Sequence, residues 1–381
     1  MKTKQLIWEG PDGWDDFEGE DLNAQLVLFF GSTDILSDAT PYEKLREMYP
    51  DATLVGCTTA GEIIGDEVYD DSIVATAIEF EKTSFQAKSL LMKEGLTSLQ
   101  AGKDLANQLE KDDLKFVFII SDGQKVNGTD LVNGLRSELG DEVILTGGLA
   151  GDGGRFAKTL VSCNTAPEED RVVVVGFYGD AIQVGHGSVG GWDPFGPSRK
   201  ITKSDSNVLY ELDGKPALQL YKEYLGEKAE ELPGSALLFP LMIKPEDQDE
   251  SGLVRTILSI DEESQSMTFA GDIPETYEAQ LMMANFDHLV DGASQAAEFA
   301  RFESFQDEEE PSLAILISCV GRKMVLGQRI GDEVESVKDI MGENTRQIGF
   351  YSYGEISPHV EVGHCQLHNQ TMTITLLKEN V

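Results

Sequence analysis

Two Gly-framed loops carry a carboxylate at the same place: Gly56-Cys57-Thr58-Thr59-Ala60-Gly61-Glu62-Ile63 and Gly349-Phe350-Tyr351-Ser352-Tyr353-Gly354-Glu355-Ile356. Glycine frees a backbone to bend and to approach a bound group, and a glutamate fixes a polar contact. The doubled pattern suggests two related half-sites facing one small ligand. Bracing of each loop by its own glutamate is the competing use, because Gly-rich turns need such side-chain bonds.

Other groups offer chemistry at weaker spacing. His364 and His368 lie four apart, which places both imidazoles on one face of a strand or a helix. They serve either as hydrogen-bonded structural histidines or as ligand or metal contacts, and no third zinc ligand stands at the usual spacing. If the strand of Thr371 to Leu377 extends back unbroken, both share the face of Met372, Ile374 and Leu376. Cys57, Cys163, Cys319 and Cys365 show no C-x2-C spacing, so free thiols are expected. Cys57 or Cys319 with a histidine brought near in space would make a hydrolase or transferase, but the chain supplies no recognisable nucleophile and base pair.

Motifs for phosphate loops, zinc proteases, α/β-hydrolases and Ser-x-x-Lys enzymes are absent. Gly185-His186-Gly187-Ser188-Val189-Gly190 matches G-x-G-x-x-G after a strand. Trp192, Pro194 and Pro197 stand where a phosphate-binding helix would begin, so no dinucleotide site is expected.

The elements that position these residues repeat. An apolar strand-like run ending in Ser, an amphipathic stretch and a second apolar run entering a Gly-rich loop occur three times, at 24–56, 115–148 and 313–349. Each reads as strand, helix, strand, with the loop at the second strand's C-terminal end, a usual ligand location in α/β sheets. The spacing predicts an α/β protein with mixed sheets covered by helices. Two prolines and three glycines in Gly190 to Pro197 bar a strand there. The junction of two domains, 1–200 and 201–381, follows it. A helix is expected from about Glu275 to Phe302, with Met282, Phe286, Leu289, Ala293, Ala296 and Ala300 as its packed stripe.

Charge narrows the partners. Against 30 Lys and Arg stand 68 Asp and Glu, a formal net of −38, which repels nucleic acid and anionic membrane surfaces. No signal-peptide run or apolar span of membrane length occurs, so a cytoplasmic location is expected.

Val55 to Ile63, Gly147-Gly148-Leu149-Ala150-Gly151-Asp152-Gly153, Phe350 to Ile356 and His368-Asn369-Gln370-Thr371-Met372-Thr373, in this order, resemble the FIST family. Ser318-Cys319-Val320-Gly321-Arg322 and Leu212 to Ala217 also resemble family segments. The resemblance implies an N-terminal FIST domain followed by a FIST C-terminal domain, acting as a non-enzymatic intracellular sensor. It would bind a small ligand, an amino acid among the candidates, and signal through a partner such as a histidine kinase. Some stand-alone bacterial members are haem proteins that report nitric oxide, and the chain resembles the stand-alone members. Cys57, Thr58, Thr59, Gly61, Glu62, Gly148, Gly151, Asp152, Cys319, Arg322, Tyr351, Tyr353, Gly354, Glu355 and Asn369 are the expected ligand contacts. Arg322 would hold a carboxylate or propionate, and Tyr351 and Tyr353 would offer stacking faces. A bound haem would take His364, His368 or His288 as axial ligand.

Overall fold

Alternate residues of three apolar strands face one interior. Leu26, Leu28 and Phe30, then Phe116, Phe118 and Ile120, then Leu313, Ile315 and Ile317 meet in a single buried cluster. The residues between them, such as Phe29, Ile119 and Leu316, pack outward beneath helices. Strands buried on both faces explain why these runs read as continuously apolar rather than alternating. The structure is a computed structural model and describes residues 1–10, 13–232, 234–246, 252–302, 304–305, 310–358 and 363–380.

Three units of one topology surround this interior. The first holds β1 (Lys2–Trp8), β2 (Leu26–Gly31), α1 (Thr40–Met48), β3 (Thr53–Thr58), β4 (Glu62–Ile64) and β5 (Ile73–Glu79). The second holds β6 (Ser84–Leu91), α2 (Ser98–Ala106), β7 (Leu114–Ser121), α3 (Gly128–Leu139), β8 (Ile144–Leu149), β9 (Val161–Cys163) and β10 (Arg171–Tyr178). The third holds β11 (Ile182–Val189), α4 (Phe286–Phe302), β12 (Leu313–Cys319), α5 (Val320–Leu326), α6 (Ile330–Met341), β13 (Arg346–Ser352), β14 (Gly354–Pro358) and β15 (Met372–Glu379).

The sheets run β9-β3-β2-β5-β1, β14-β8-β7-β10-β6 and β4-β13-β12-β15-β11, each with a further short strand at one rim. Every unit therefore gives one strand away. The short strand that follows the Gly-rich loop leaves the first unit for the third, the third for the second and the second for the first. Parallel pairs β2/β3, β7/β8 and β12/β13 lie at the heart of each sheet, as the strand, helix, strand reading requires.

A second body is inserted between β11 and α4. Its strands, from Asp193–Asp205 to Tyr277–Met283, surround the helix Ala217–Leu225. Leu209, Leu218, Tyr221 and Phe269 form a separate core there. The division expected near residue 200 falls within Asp193–Asp205, where the chain enters this body, and the chain returns to the three units at α4.

Three expectations need correction. Pro194 and Pro197 do not exclude a strand. Asp193–Asp205 pairs with Tyr277–Met283 on both sides of a register shift between Phe195 and Arg199; Pro194 stands opposite Met282 in the paired part, and Pro197 falls within the shift. The helix begins at Phe286 rather than Glu275, because the polar-apolar alternation of Tyr277–Met283 is used to pair two neighbouring strands. The run carrying His364 and His368 is not one strand with Thr371 to Leu377: Gln370 has φ 63° and breaks it. The G-x-G-x-x-G run lies in β11, where a Cβ on Gly185 or Gly187 would come within 2.1 Å of the Ala300 oxygen or 2.0 Å of the Ala296 oxygen. Those glycines seat helix α4 on the sheet.

Candidate functional site

The three Gly-rich loops meet in a ring of backbone hydrogen bonds. Thr58, Leu149 and Tyr351 occupy equivalent ends of the second parallel strands, paired with Gly31, Ser121 and Ser318. Two residues on in each unit, an amide donates to the neighbouring unit. Ala60 N–H bonds the Tyr351 carbonyl at 2.8 Å, Gly151 N–H that of Thr58 at 2.9 Å, and Tyr353 N–H that of Leu149 at 3.2 Å. The chain then continues into the sheet it has just reached. In each unit the first glycine of the loop serves this packing. A Cβ on Gly56, Gly147 or Gly349 would lie 2.2, 1.9 or 1.9 Å from the carbonyl oxygen of Phe29, Ile119 or Leu316. That distance is below any tolerable contact, so only glycine lets the parallel strands approach.

Glu62 and Glu355 make the same set of bonds. Glu62 accepts from the Thr59 hydroxyl through Oε1, and from Ser72 Oγ (2.8 Å) and Ser72 N–H (3.3 Å) through Oε2. Glu355 accepts from Ser352 Oγ (2.6 Å) through Oε1, and from Thr371 Oγ1 (3.1 Å) and N–H (3.3 Å) through Oε2. Each carboxyl ties its loop to the strand that closes its own unit. Burial pushes Glu62 up to about 7 and Glu355 up to about 8, against the downward pull of these hydrogen bonds. Nothing in the spacing joins Ser72 to Glu62 or Thr371 to Glu355, because they lie ten and sixteen residues downstream of their partners.

The second unit uses another brace. Asp152 accepts from the N–H groups of Phe156, Ala157 and Lys158, each at 2.8 Å, and from the Tyr353 hydroxyl. Gly151 packs on the backbone of Thr59 and Ala60, and Gly148 packs against Ile317.

Arg322 is wholly buried. Its guanidinium bonds Glu333 Oε1 through Nε at 2.7 Å, the Leu289 carbonyl at 2.7 Å and the Gly190 carbonyl. Tyr351 donates to the same Glu333 at 2.9 Å, and burial together with that charge pushes its hydroxyl pKa well up. Both side chains thus anchor α5 and α6. Thr58 Oγ1 accepts from Leu160 N–H at 2.9 Å. Asn369 is buried beside Gly354, and neither of its amide atoms has a hydrogen-bond partner.

Two cavities border the ring. One, of about 440 Å3, lies between the second unit and the inserted body, with Gly123, Phe156 and Tyr353 on one side and Asn207, Leu258 and Phe269 on the other. Phe156 stacks on Tyr353, ring centroids 4.5 Å apart and planes 17° apart. The other, of about 170 Å3, is polar and includes Thr33, Glu62, Asp71 and Asp152. Glu355 borders neither, so the two glutamates do not share one of these hollows.

A family model described as the FIST N domain matches residues 25–215, and one described as the FIST C domain matches residues 217–358. The chain belongs to the FIST family. FIST domains are sensory domains of signal transduction. The FIST N match takes in most of the first unit, all of the second and the entry into the inserted body. The FIST C match begins at the inserted helix and ends with β14. The larger cavity therefore draws walls from both matches. The chain is also 27% identical over 242 residues to an uncharacterized protein of Methanocaldococcus jannaschii. The match covers 59% of this chain and 46% of that one, so the chain spans about half the length of the curated relative it matches.

His288, His364 and His368 of this FIST chain line neither cavity. His368 is buried with Nε2 at 3.0 Å from the Ser357 carbonyl, His364 pairs with Gln366 at 3.1 Å, and the half-exposed His288 pairs with Asp193 at 2.8 Å. Among the described residues no group of three His, Cys, Asp or Glu is arranged to hold a metal ion. These placements do not fit an axial ligand facing an apolar slot. Cys57, Cys319 and Cys365 are buried, which pushes each thiol above its ordinary value and disfavours the thiolate. No helix among the described residues is long and apolar enough to cross a membrane.

Proposed function

We propose that this protein is a non-enzymatic sensor that binds a small amphipathic molecule between the three-unit body and the inserted body, and signals by the fit between them. The observation that carries the reading is the cavity of about 440 Å3 whose walls come from both bodies. Its volume suits a small metabolite, an amino acid included. The stacked Phe156 and Tyr353 supply an aromatic face, and the amides of Gln124, Asn127 and Asn207 supply polar contacts. Among the expected contacts, Tyr353 meets the ligand. Glu62, Glu355 and Asp152 hold the loops that place it.

A link runs from this cavity to the rest of the fold. Arg255 of the inserted body, buried, donates to the Leu367 carbonyl of the three-unit body at 2.9 Å and to the Asp272 carbonyl at 3.3 Å. Burial lowers its pKa to about 10, against the upward pull of the neighbouring Asp272 charge. A ligand that draws Phe269 towards Tyr353 also shifts this contact, and a partner such as a histidine kinase reads the surface that moves.

Native mass spectrometry after incubation with a pool of cell metabolites tests the reading. The expected result is a discrete added mass that disappears in Leu258→Arg, a substitution at a half-exposed wall position that leaves the fold intact. An added mass retained in that variant and in Tyr353→Ala would contradict it.

A further inference from the structure

The first strands of the three units stand at equivalent sheet rims, and two of the three are covered. β1 is paired along its outer side by Asp15–Glu18. In β11 the Val184 carbonyl accepts from the Ser304 hydroxyl at 2.7 Å, and Ile182, Val184 and Ser188 are buried. β6 ends its sheet, and among the described residues no further strand pairs with it. Every residue from Phe85 to Leu90 is partly exposed, and Ser84 and Leu91 are exposed.

The hydrogen bonds fix which backbone groups of β6 face outward. Met92 N–H bonds the Asp170 carbonyl at 2.6 Å, continuing the register that pairs Leu91 with Arg171. Asp122 N–H bonds the Arg171 carbonyl at 2.9 Å, so Arg171 faces β7 and not β6. Antiparallel pairs alternate between bonded and unbonded residues. Ser84, Gln86, Lys88 and Leu90 therefore bond β10, whereas Phe85, Ala87, Ser89 and Leu91 turn their N–H and C=O groups away from it. No backbone group among the described residues bonds these.

The side chains set the chemistry of what fits there. Residues 82–93 hold three lysines, Lys82, Lys88 and Lys93, and no acid, in a chain with 68 acidic residues. Lys88 shares the face of Leu90, which packs under the helices, while Phe85 and Ala87 lie on the other face, against the shared interior. We propose that the β6 edge docks an extended segment of another protein by strand addition, with acidic residues on the Lys88 face alternating with apolar residues on the Phe85 face. A second copy of the chain fits poorly, because two β6 edges bring the same lysines together and each body carries a formal net charge of −38. Lysine at an edge guards it against self-pairing, and here it also selects the charge of the partner. None of these residues lines the cavity of about 440 Å3, so the edge takes its segment with or without a ligand there.

Amide-resolved hydrogen exchange of the full chain, with and without a capped octapeptide of alternating glutamate and valine, tests this. The expected result is saturable slowing by the peptide at the amides of Phe85, Ala87, Ser89 and Leu91. Ala87→Pro removes one outward N–H and leaves the β10 ladder untouched, so it should abolish the slowing with the urea midpoint retained. Lys88→Glu keeps the backbone and should weaken the glutamate peptide about tenfold while favouring a peptide of alternating lysine and valine. No slowing at these amides, or equal slowing by the glutamate and lysine peptides in the wild-type chain, would overturn the proposal. Protection of the same four amides without peptide, growing with protein concentration, would assign the edge to a second copy and overturn it as well.

Discussion

The second and third units share a backbone and differ in what stands at the end of the first strand. In the third, α5 packs into the space, and Arg322 and Glu333 bury an ion pair with both side chains fully inaccessible. In the second, the space stays open and the inserted body forms its far wall. The ring of loop hydrogen bonds is common to both. The scaffold therefore sets where a ligand can sit, and the side chains at the strand end decide whether the place is filled.

The largest effect should come from emptying the filled place. Arg322→Ala leaves Glu333 charged and unpaired in the interior and should cost ~3–5 kcal/mol, read from urea unfolding. If the loss is below ~1 kcal/mol, α5 is not held by this pair.

Next comes the pH dependence of the two glutamate braces. Both carboxyls hold their protons more tightly folded than unfolded, where the value is near 4.5. The unfolded chain therefore loses these protons first, and their contribution to stability falls as pH rises from about 4.5 to about 7 for Glu62 and about 8 for Glu355. The loss is ~3 kcal/mol for Glu62 and ~5 kcal/mol for Glu355. Glu355→Gln and Glu62→Gln should each flatten that slope, and unchanged slopes would remove the raised values from the account.

A smaller effect sharpens the equivalence of the units. Gly56→Ala, Gly147→Ala and Gly349→Ala should each destabilise by ~1–3 kcal/mol, because each drives a methyl into a carbonyl of the paired strand. One silent variant would mean that its unit does not share the close strand approach. The smallest effect is on the open place. Phe156→Leu removes the ring stacked on Tyr353 and should weaken ligand binding by ~1 kcal/mol with little change in unfolding midpoint.

The three repeats were legible because each first strand is apolar on both faces and each second strand enters glycines. The exchange between them was not. β4 has three residues and β9 three, too short to show a period, and their pairing depends on a neighbour far away in sequence. Glycines 56, 147 and 349 were visible as points of close approach, but the approaching group is a strand carbonyl. Glu62 and Glu355 were found by their repeated spacing, while Ser72 and Thr371 bear no repeated spacing of their own. Tyr353 was singled out for its ring, and its stacking partner Phe156 lies in a loop with no regular pattern. The sequence does not separate the strand Tyr277–Met283 from the following helix, because Met282 and Leu289 continue a helical stripe.

Hydrogen exchange of the ligand-saturated protein against the ligand-free protein tests the central claim most directly. The account predicts simultaneous protection of residues 123–127 on the three-unit body and 269–271 on the inserted body. Protection confined to residues 59–62 and 351–355, with neither of those segments changed, would contradict it.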